Sequence, residues 1–153
     1  MKIRKANIND LDLYFEWAND DVTRANSINP EKIKYENHVK WFKNKINDND
    51  SFLYIVSEND NHIGQIRFEL KDDGYYHIDY SVDVKMRGMG YGKKILELAM
   101  NELKNDIPGK AILIALILEY NLPSLKTFRG YGFKEVGSVD INHRKYIKLI
   151  FEI

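Results

Sequence analysis

A chain of 153 residues with 23 basic and 23 acidic side chains has no net charge to draw nucleic acid or an anionic membrane to it. It has no cysteine, which excludes disulfides, thiolate nucleophiles and thiolate metal sites, and its four scattered histidines lack ligand spacing, so no metal is expected. The length suits one domain over residues 1–153; Met1-Lys-Ile-Arg-Lys leads into polar sequence, and the longest apolar run is too short for a bilayer, so a cytoplasmic protein is expected.

In chain order, a strand is expected over 2–6 and a helix from Asn9 or Asp10 to Ala18, with Leu11, Tyr14, Phe15 and Ala18 as its buried stripe. Asn19 to Glu31 reads as a polar loop containing Pro30. Tyr35, Val39, Phe42 and Ile46 give the next helix, from Lys34 to Ile46, an apolar face. Strands follow over 52–57 and 62–70, joined across Glu58 to Asn61, and Asp72-Asp73-Gly74 turns into a strand over Tyr75 to Val84.

That last hairpin allows a register to be written. If Leu70 pairs with Tyr76, then Arg67 faces Asp79 and Gln65 faces Ser81, and one face carries Gln65, Arg67, Glu69, His77, Asp79 and Ser81. Polar groups are costly to bury inside a covered sheet, so this face lines a wet cleft, or is solvated, or holds Arg67 and Asp79 as a structural pair.

Arg87-Gly88-Met89-Gly90-Tyr91-Gly92 then opens a helix running to about Asn105. Glycines let backbone approach a ligand closely, and a helix start with unpaired N–H groups favours an anion such as a pyrophosphate, to which Arg87 and Lys93 add charge. Gly92 is followed by Lys93-Lys94 rather than Lys-Ser/Thr, which excludes a Walker loop, and the two-residue glycine spacing does not match the dinucleotide fingerprint.

Ala111 to Leu118 reads as a strand buried on both faces. It leads into Asn121-Leu-Pro-Ser124-Leu-Lys-Thr-Phe128-Arg-Gly-Tyr-Gly132-Phe133, a short helix begun near Pro123 and ended at Gly130 or Gly132. Two closing strands, Phe133 to Asp140 and Arg144 to Phe151, turn at Asn142-His143; their apolar faces are compatible with a homodimer.

The glycine run resembles the acetyl-CoA pyrophosphate loop R/Q-x-x-G-x-G/A of the GNAT acetyltransferase superfamily, and Val82-Asp83-Val84-Lys85-Met86 stands where V-D-P-x-Y/F is common. The Asn121 to Phe133 segment resembles the superfamily's later motif N-x-x-S/A-x-x-x-Y/F-x-x-x-G-F. The resemblance covers the whole chain. It implies a single α/β (α+β) domain, with a mixed, mostly antiparallel sheet of six to seven strands and about four helices. It also implies acetyl-CoA as acetyl donor, held by Val82, Asp83, Val84, Arg87, Gly88, Met89, Gly90, Tyr91, Gly92, Lys93, Asn121, Ser124 and Phe128.

The N-terminal third, with W-x-N-D-x-x-x-R-x-x-S from Trp17 and E-x-H-x-x-W-F elements around His38 and Trp41, is similar to GNAT domains that acetylate nucleotide-linked amino sugars. Among these it resembles the 4-amino-altrosamine acetyltransferases of pseudaminic-acid biosynthesis and the acetyltransferase parts of related fused enzymes. That likeness makes Trp17, Arg24, Asn26, Ser27, Trp41, Gln65 and Arg67 candidates for acceptor binding, with Lys40 beside Arg24 for a diphosphate. Trp17 and Trp41 also fit a core role.

The implied reaction is attack of a neutral amine on the thioester, with a backbone N–H of Val82 to Val84 polarising the carbonyl and a thiolate leaving. Many superfamily members place a tyrosine as acid where this chain has Phe128, and Tyr131, one turn away, is poorly directed to replace it. Asp79 and His38 are the candidate bases and Glu119 a third; a water relay fits equally. Three readings stand: an amino-sugar N-acetyltransferase, a GNAT enzyme for a protein N-terminus or another small-molecule amine, and a non-catalytic acyl-CoA-binding module.

Overall fold

A computed structural model describes all residues, Met1–Ile153. Seven strands form one sheet: β1 (Lys2–Lys5), β2 (Ser51–Glu58), β3 (Asn61–Leu70), β4 (Tyr76–Val82), β5 (Ile112–Leu118), β6 (Lys134–Ile141) and β7 (Arg144–Glu152), in the order β1-β2-β3-β4-β5-β7-β6. The helices are α1 (Leu11–Ala18), α2 (Asp21–Asn26), α3 (Tyr35–Ile46), α4 (Tyr91–Asp106) and α5 (Leu122–Tyr131), with short 3-10 turns over Ile8–Asp10 and Val84–Met86. No helix is long and apolar enough to cross a membrane.

Strand alternation divides the core in two. Tyr54, Val56, Ile66 and Phe68 face α4 and α5, where Ile95, Leu96, Ala99, Met100, Leu125 and Phe128 complete the larger cluster. Leu53 and Ile55 point the other way and pack with Leu11, Tyr14, Trp17 and Phe42 of α1 and α3. The start of α1 is fixed by a capping box between Asn7 and Asp10, and Arg4 grips both Asp10 oxygens at 2.7 and 2.8 Å.

The β3–β4 register is the one written from the sequence: Leu70 pairs with Tyr76, Arg67 with Asp79 and Gln65 with Ser81. Gly64, opposite Val82, is tightly enclosed, since a Cβ there would lie 2.3 Å from the Ser81 carbonyl oxygen. The Asn142-His143 turn takes positive φ at both residues (52° and 63°), which suits a two-residue hairpin. Of the two glycines considered for the end of α5, Gly132 is the C-cap, at φ 119°.

One element differs from expectation. Asn19 to Glu31 is not loop throughout: it contains α2, whose N-cap Asp20 accepts from the Thr23 N–H. No residue of α2 is buried, so the helix has no apolar stripe for periodicity to register.

The feature that positions the site is the parting of β4 from β5. The two strands are parallel and pair only at Tyr76–Leu113 and His77–Ile114, after which they separate. Odd-numbered residues of β4 bond to β3, as the Asp83 N–H to the Ile63 carbonyl shows at 2.8 Å. The N–H groups of Tyr80 and Val82 therefore point into the gap toward β5.

Candidate active site

Three features meet around this gap: a glycine loop at the start of α4, a polar cavity on the α1–α3 face of the sheet, and a pair of hydroxyls between α4 and α5. The loop residues Gly88 and Gly90 hold left-handed backbone (φ 77° and 79°), and a Cβ on either would meet nothing within 4 Å. Gly90 is the N-cap of α4 and provides no side-chain acceptor, and the first turn of α4 carries no acid. Its leading N–H groups are left open to an anion, which is the fit a pyrophosphate requires.

The side chains around that loop are more committed than the sequence suggested. Arg87 does not stand free as a phosphate clamp: its Nε donates to the Val82 carbonyl at 3.1 Å and its Nη2 to Asp20 at 2.6 Å. Although burial alone would raise it, the Arg87 and Thr23 hydrogen bonds hold the Asp20 carboxyl below the usual carboxylate range. Asp83 caps the 3-10 turn through the Lys85 N–H and accepts from the Trp17 indole at 2.9 Å, so its carboxylate faces away from the loop. Val84 and Met89 are exposed, the Tyr91 hydroxyl donates to Glu58, and Lys93 is free apart from a loose approach to Glu97. Gly92 sits against the Tyr80 ring. Of the Val82 and Asp83 backbone, the Val82 N–H is directed at the gap and that of Asp83 is taken by β3.

The cavity, of about 280 Å³, brings together six of the residues named from the sequence: Arg24, His38, Trp41, Gln65, Arg67 and Asp79. Of the three readings of the polar face, the cleft and the structural pair coincide. Arg67 and Asp79 are a cross-strand pair at 2.6 Å, and they also form the cavity wall. Arg67 further bonds Glu69 and lies over the Trp41 ring, 4.9 Å from its centroid. Gln65 donates to Asp79 and Ser81, and its carbonyl oxygen is buried with no partner.

Arg24 reaches in from α2. Its guanidinium bonds the Asn29 and Glu31 carbonyls and the Ser27 hydroxyl, while Nε is buried and unpartnered. It touches no carboxylate, and burial lowers its pKa. His38 is held by the Leu11 carbonyl at 2.8 Å, so its Nε2 carries the proton, and it stacks on Phe42. Burial lowers its pKa and keeps it neutral, partly opposed by the carbonyl contact. This makes His38 first an anchor between α3 and α1.

Other candidates lie elsewhere. Trp17 is buried in the smaller core and outside the cavity lining. Ser27 ties α2 to β7, its carbonyl accepting from Arg144 and from Tyr146. Asn26 ends α2 and, like Lys40, does not line the cavity. Asn121 caps α5, and Phe128 is buried in the larger core, edge-on to Tyr80. Tyr131 packs on Phe133 and Phe151, away from the gap.

Sequence reasoning missed Tyr14, Thr23 and Asn37 in the cavity lining. Asn37 lies one helical turn before Trp41, which is the spacing that could have found it. It also missed the pairing of the Tyr80 hydroxyl with Ser124 Oγ at 2.8 Å.

The family model described as acetyltransferase (GNAT) domain matches residues 1–134. An uncharacterized protein of Methanocaldococcus jannaschii is 28% identical across 87% of this chain, which spans only 28% of that relative's length. A Bacillus subtilis protein provisionally named a phosphinothricin acetyltransferase is also 28% identical, over 90% of this chain and 86% of its own. Among solved structures, spermidine N-acetyltransferase from Vibrio cholerae, in complex with CoA and spermine, superposes with a TM-score of 0.82 over 99% of this chain and 94% of that one. At 15% identity that likeness is one of fold.

Proposed function

The chain belongs to the GNAT acetyltransferase domain family, and from that premise we propose that it moves an acetyl group from acetyl-CoA to the primary amine of a nucleotide-linked amino sugar. The acetyltransferase family and the open α4 N-terminus support the donor. For the acceptor, the observation that carries the reading is Arg24, a half-buried cation at the cavity with no carboxylate partner and a free Nε–H. Such a group is satisfied by an anion on the ligand. A phosphate-bearing acceptor supplies one, whereas a polycation would meet the uncompensated charge of Arg24.

Size points the same way. A cavity of about 280 Å³ takes a sugar-sized group and leaves the nucleotide outside. Trp41, already under Arg67, offers an aromatic wall to a ring.

The chemistry follows from this placement. The amine nitrogen bonds to the thioester carbon, and its surplus proton passes to Asp79 directly or through cavity water. Arg67 and Gln65 keep the Asp79 carboxylate oriented, and the unpartnered Gln65 oxygen can accept from the amine. The Val82 N–H stabilises the oxyanion.

Replacing Arg24 tests the assignment. Arg24→Gln should raise KM for a nucleotide-linked amino sugar roughly thirty-fold, equivalent to about 2 kcal/mol, while sparing a neutral amine. An equal effect on both acceptors would remove the anion from the account.

A further inference from the structure

We infer that Tyr80, paired with Ser124, donates the hydrogen bond that stabilises the departing CoA thiolate. The inference rests on acetyl-CoA as donor but on no particular acceptor. Tyr80 lies on the opposite face of β4 from the polar cavity, at the point where β4 has already left β5. Its phenol reaches the place where α4 and α5 converge. Ser124 Oγ is 2.8 Å away, and a Cβ on Gly92 would sit 3.5 Å from both the phenol oxygen and Thr127 Oγ1.

Three properties suit this group to the role. First, the Tyr80 phenol has the Ser124 and Thr127 hydroxyls as partners, and three hydroxyl protons sharing two mutual hydrogen bonds leave one O–H to donate elsewhere. Second, the pair lies beside the N-terminal turns of two helices, where negative charge on sulfur or phenol oxygen is favoured. Third, the ring is fixed: it packs edge-on against Phe128 at 5.6 Å between centroids, and burial raises the phenol, which therefore stays protonated at neutral pH.

The arrangement accounts for Phe128. A donor arm running from the glycine loop into the gap between β4 and β5 passes the phenol of Tyr80, so the hydroxyl missing at position 128 is supplied from the strand. The step balances. The C–S bond breaks with its electron pair going to sulfur, the Tyr80 O–H hydrogen-bonds the thiolate and keeps its proton, and CoA leaves as the thiolate to be protonated by solvent.

The test is Tyr80→Phe, which keeps the ring and removes the hydroxyl. Turnover should fall about 10²-fold, with KM for acetyl-CoA unchanged. The second readout is the thiol of bound CoA, titrated by its ultraviolet thiolate absorbance. In the native protein the thiol should titrate below its free value of about 8.5, and in Tyr80→Phe the value should return toward it. Native protein alone also decides the matter: a bound thiol that titrates at or above the free value overturns the role of Tyr80. CoA that binds, with the same titration in both proteins, overturns it as well. Native protein that binds no CoA at all sinks the donor assignment, and Tyr80 with it.

Discussion

Arg87 and Asp20 form an ion pair at 2.6 Å that joins the base of the glycine loop to the N-cap of α2. Asp20 holds the helix carrying Arg24, and Arg87 holds the Val82 carbonyl beside the gap. The donor loop and the acceptor cavity thus share one side-chain contact across 67 residues of sequence. Asp20→Asn keeps an oxygen for the Thr23 N–H and removes the charge. It should cost about 1–2 kcal/mol and raise KM for donor and acceptor together, roughly ten-fold each. A change confined to one substrate, in steady-state kinetics with both varied, would break the link.

Asp79 is tested by Asp79→Asn. Arg67 retains Glu69 as partner, so the strand pairing should survive and the melting temperature should move little. Turnover should fall about 10²-fold. A loss below about three-fold would pass the base role to the water relay alone.

Gly64 should tolerate no side chain. In Gly64→Ala the new methyl meets the Ser81 carbonyl oxygen at 2.3 Å and the Ile95 Cδ1 at 2.8 Å, so backbone must shift in the centre of the sheet. A cost of about 3 kcal/mol is expected, which thermal unfolding would register as a drop of roughly 6–12 °C. An unchanged melting temperature would contradict the close approach of β3 and β4.

His38 makes stability depend on pH in a known direction. Its folded pKa is lowered, chiefly by burial, so the unfolded chain binds the proton more readily. The stability it contributes is complete above the unfolded value of about 6.5 and is lost as pH falls below it. Melting temperatures between pH 7.5 and 5.5 should fall in the native protein and fall less in His38→Gln. Parallel curves would show that His38 is not responsible.

Much of this was legible in the sequence because it depends on local rules. Two-residue alternation gave the β3–β4 register and hence the Arg67–Asp79 pair, and the glycine spacing gave the loop before α4. What escaped depends on packing between distant segments. Arg87 was read as a phosphate ligand because its partner, Asp20, stands on a helix with no buried residue. Trp17 fits either an acceptor-binding or a core role from the sequence, and its tie to Asp83 across 66 positions lies outside any local rule. Strand alternation puts Tyr80 on the face opposite Asp79, but a strand pattern shows which way a side chain points and not which hydroxyl it meets.

The most direct test of the account measures free thiol released from acetyl-CoA with matched acceptors: nucleotide-linked 4-amino sugars, aminoglycosides, polyamines and N-terminal peptides. The account predicts turnover on the nucleotide-linked amino sugars and little on the rest. Turnover on polyamines or peptides alone would contradict the acceptor assignment while leaving the acetyl transfer intact.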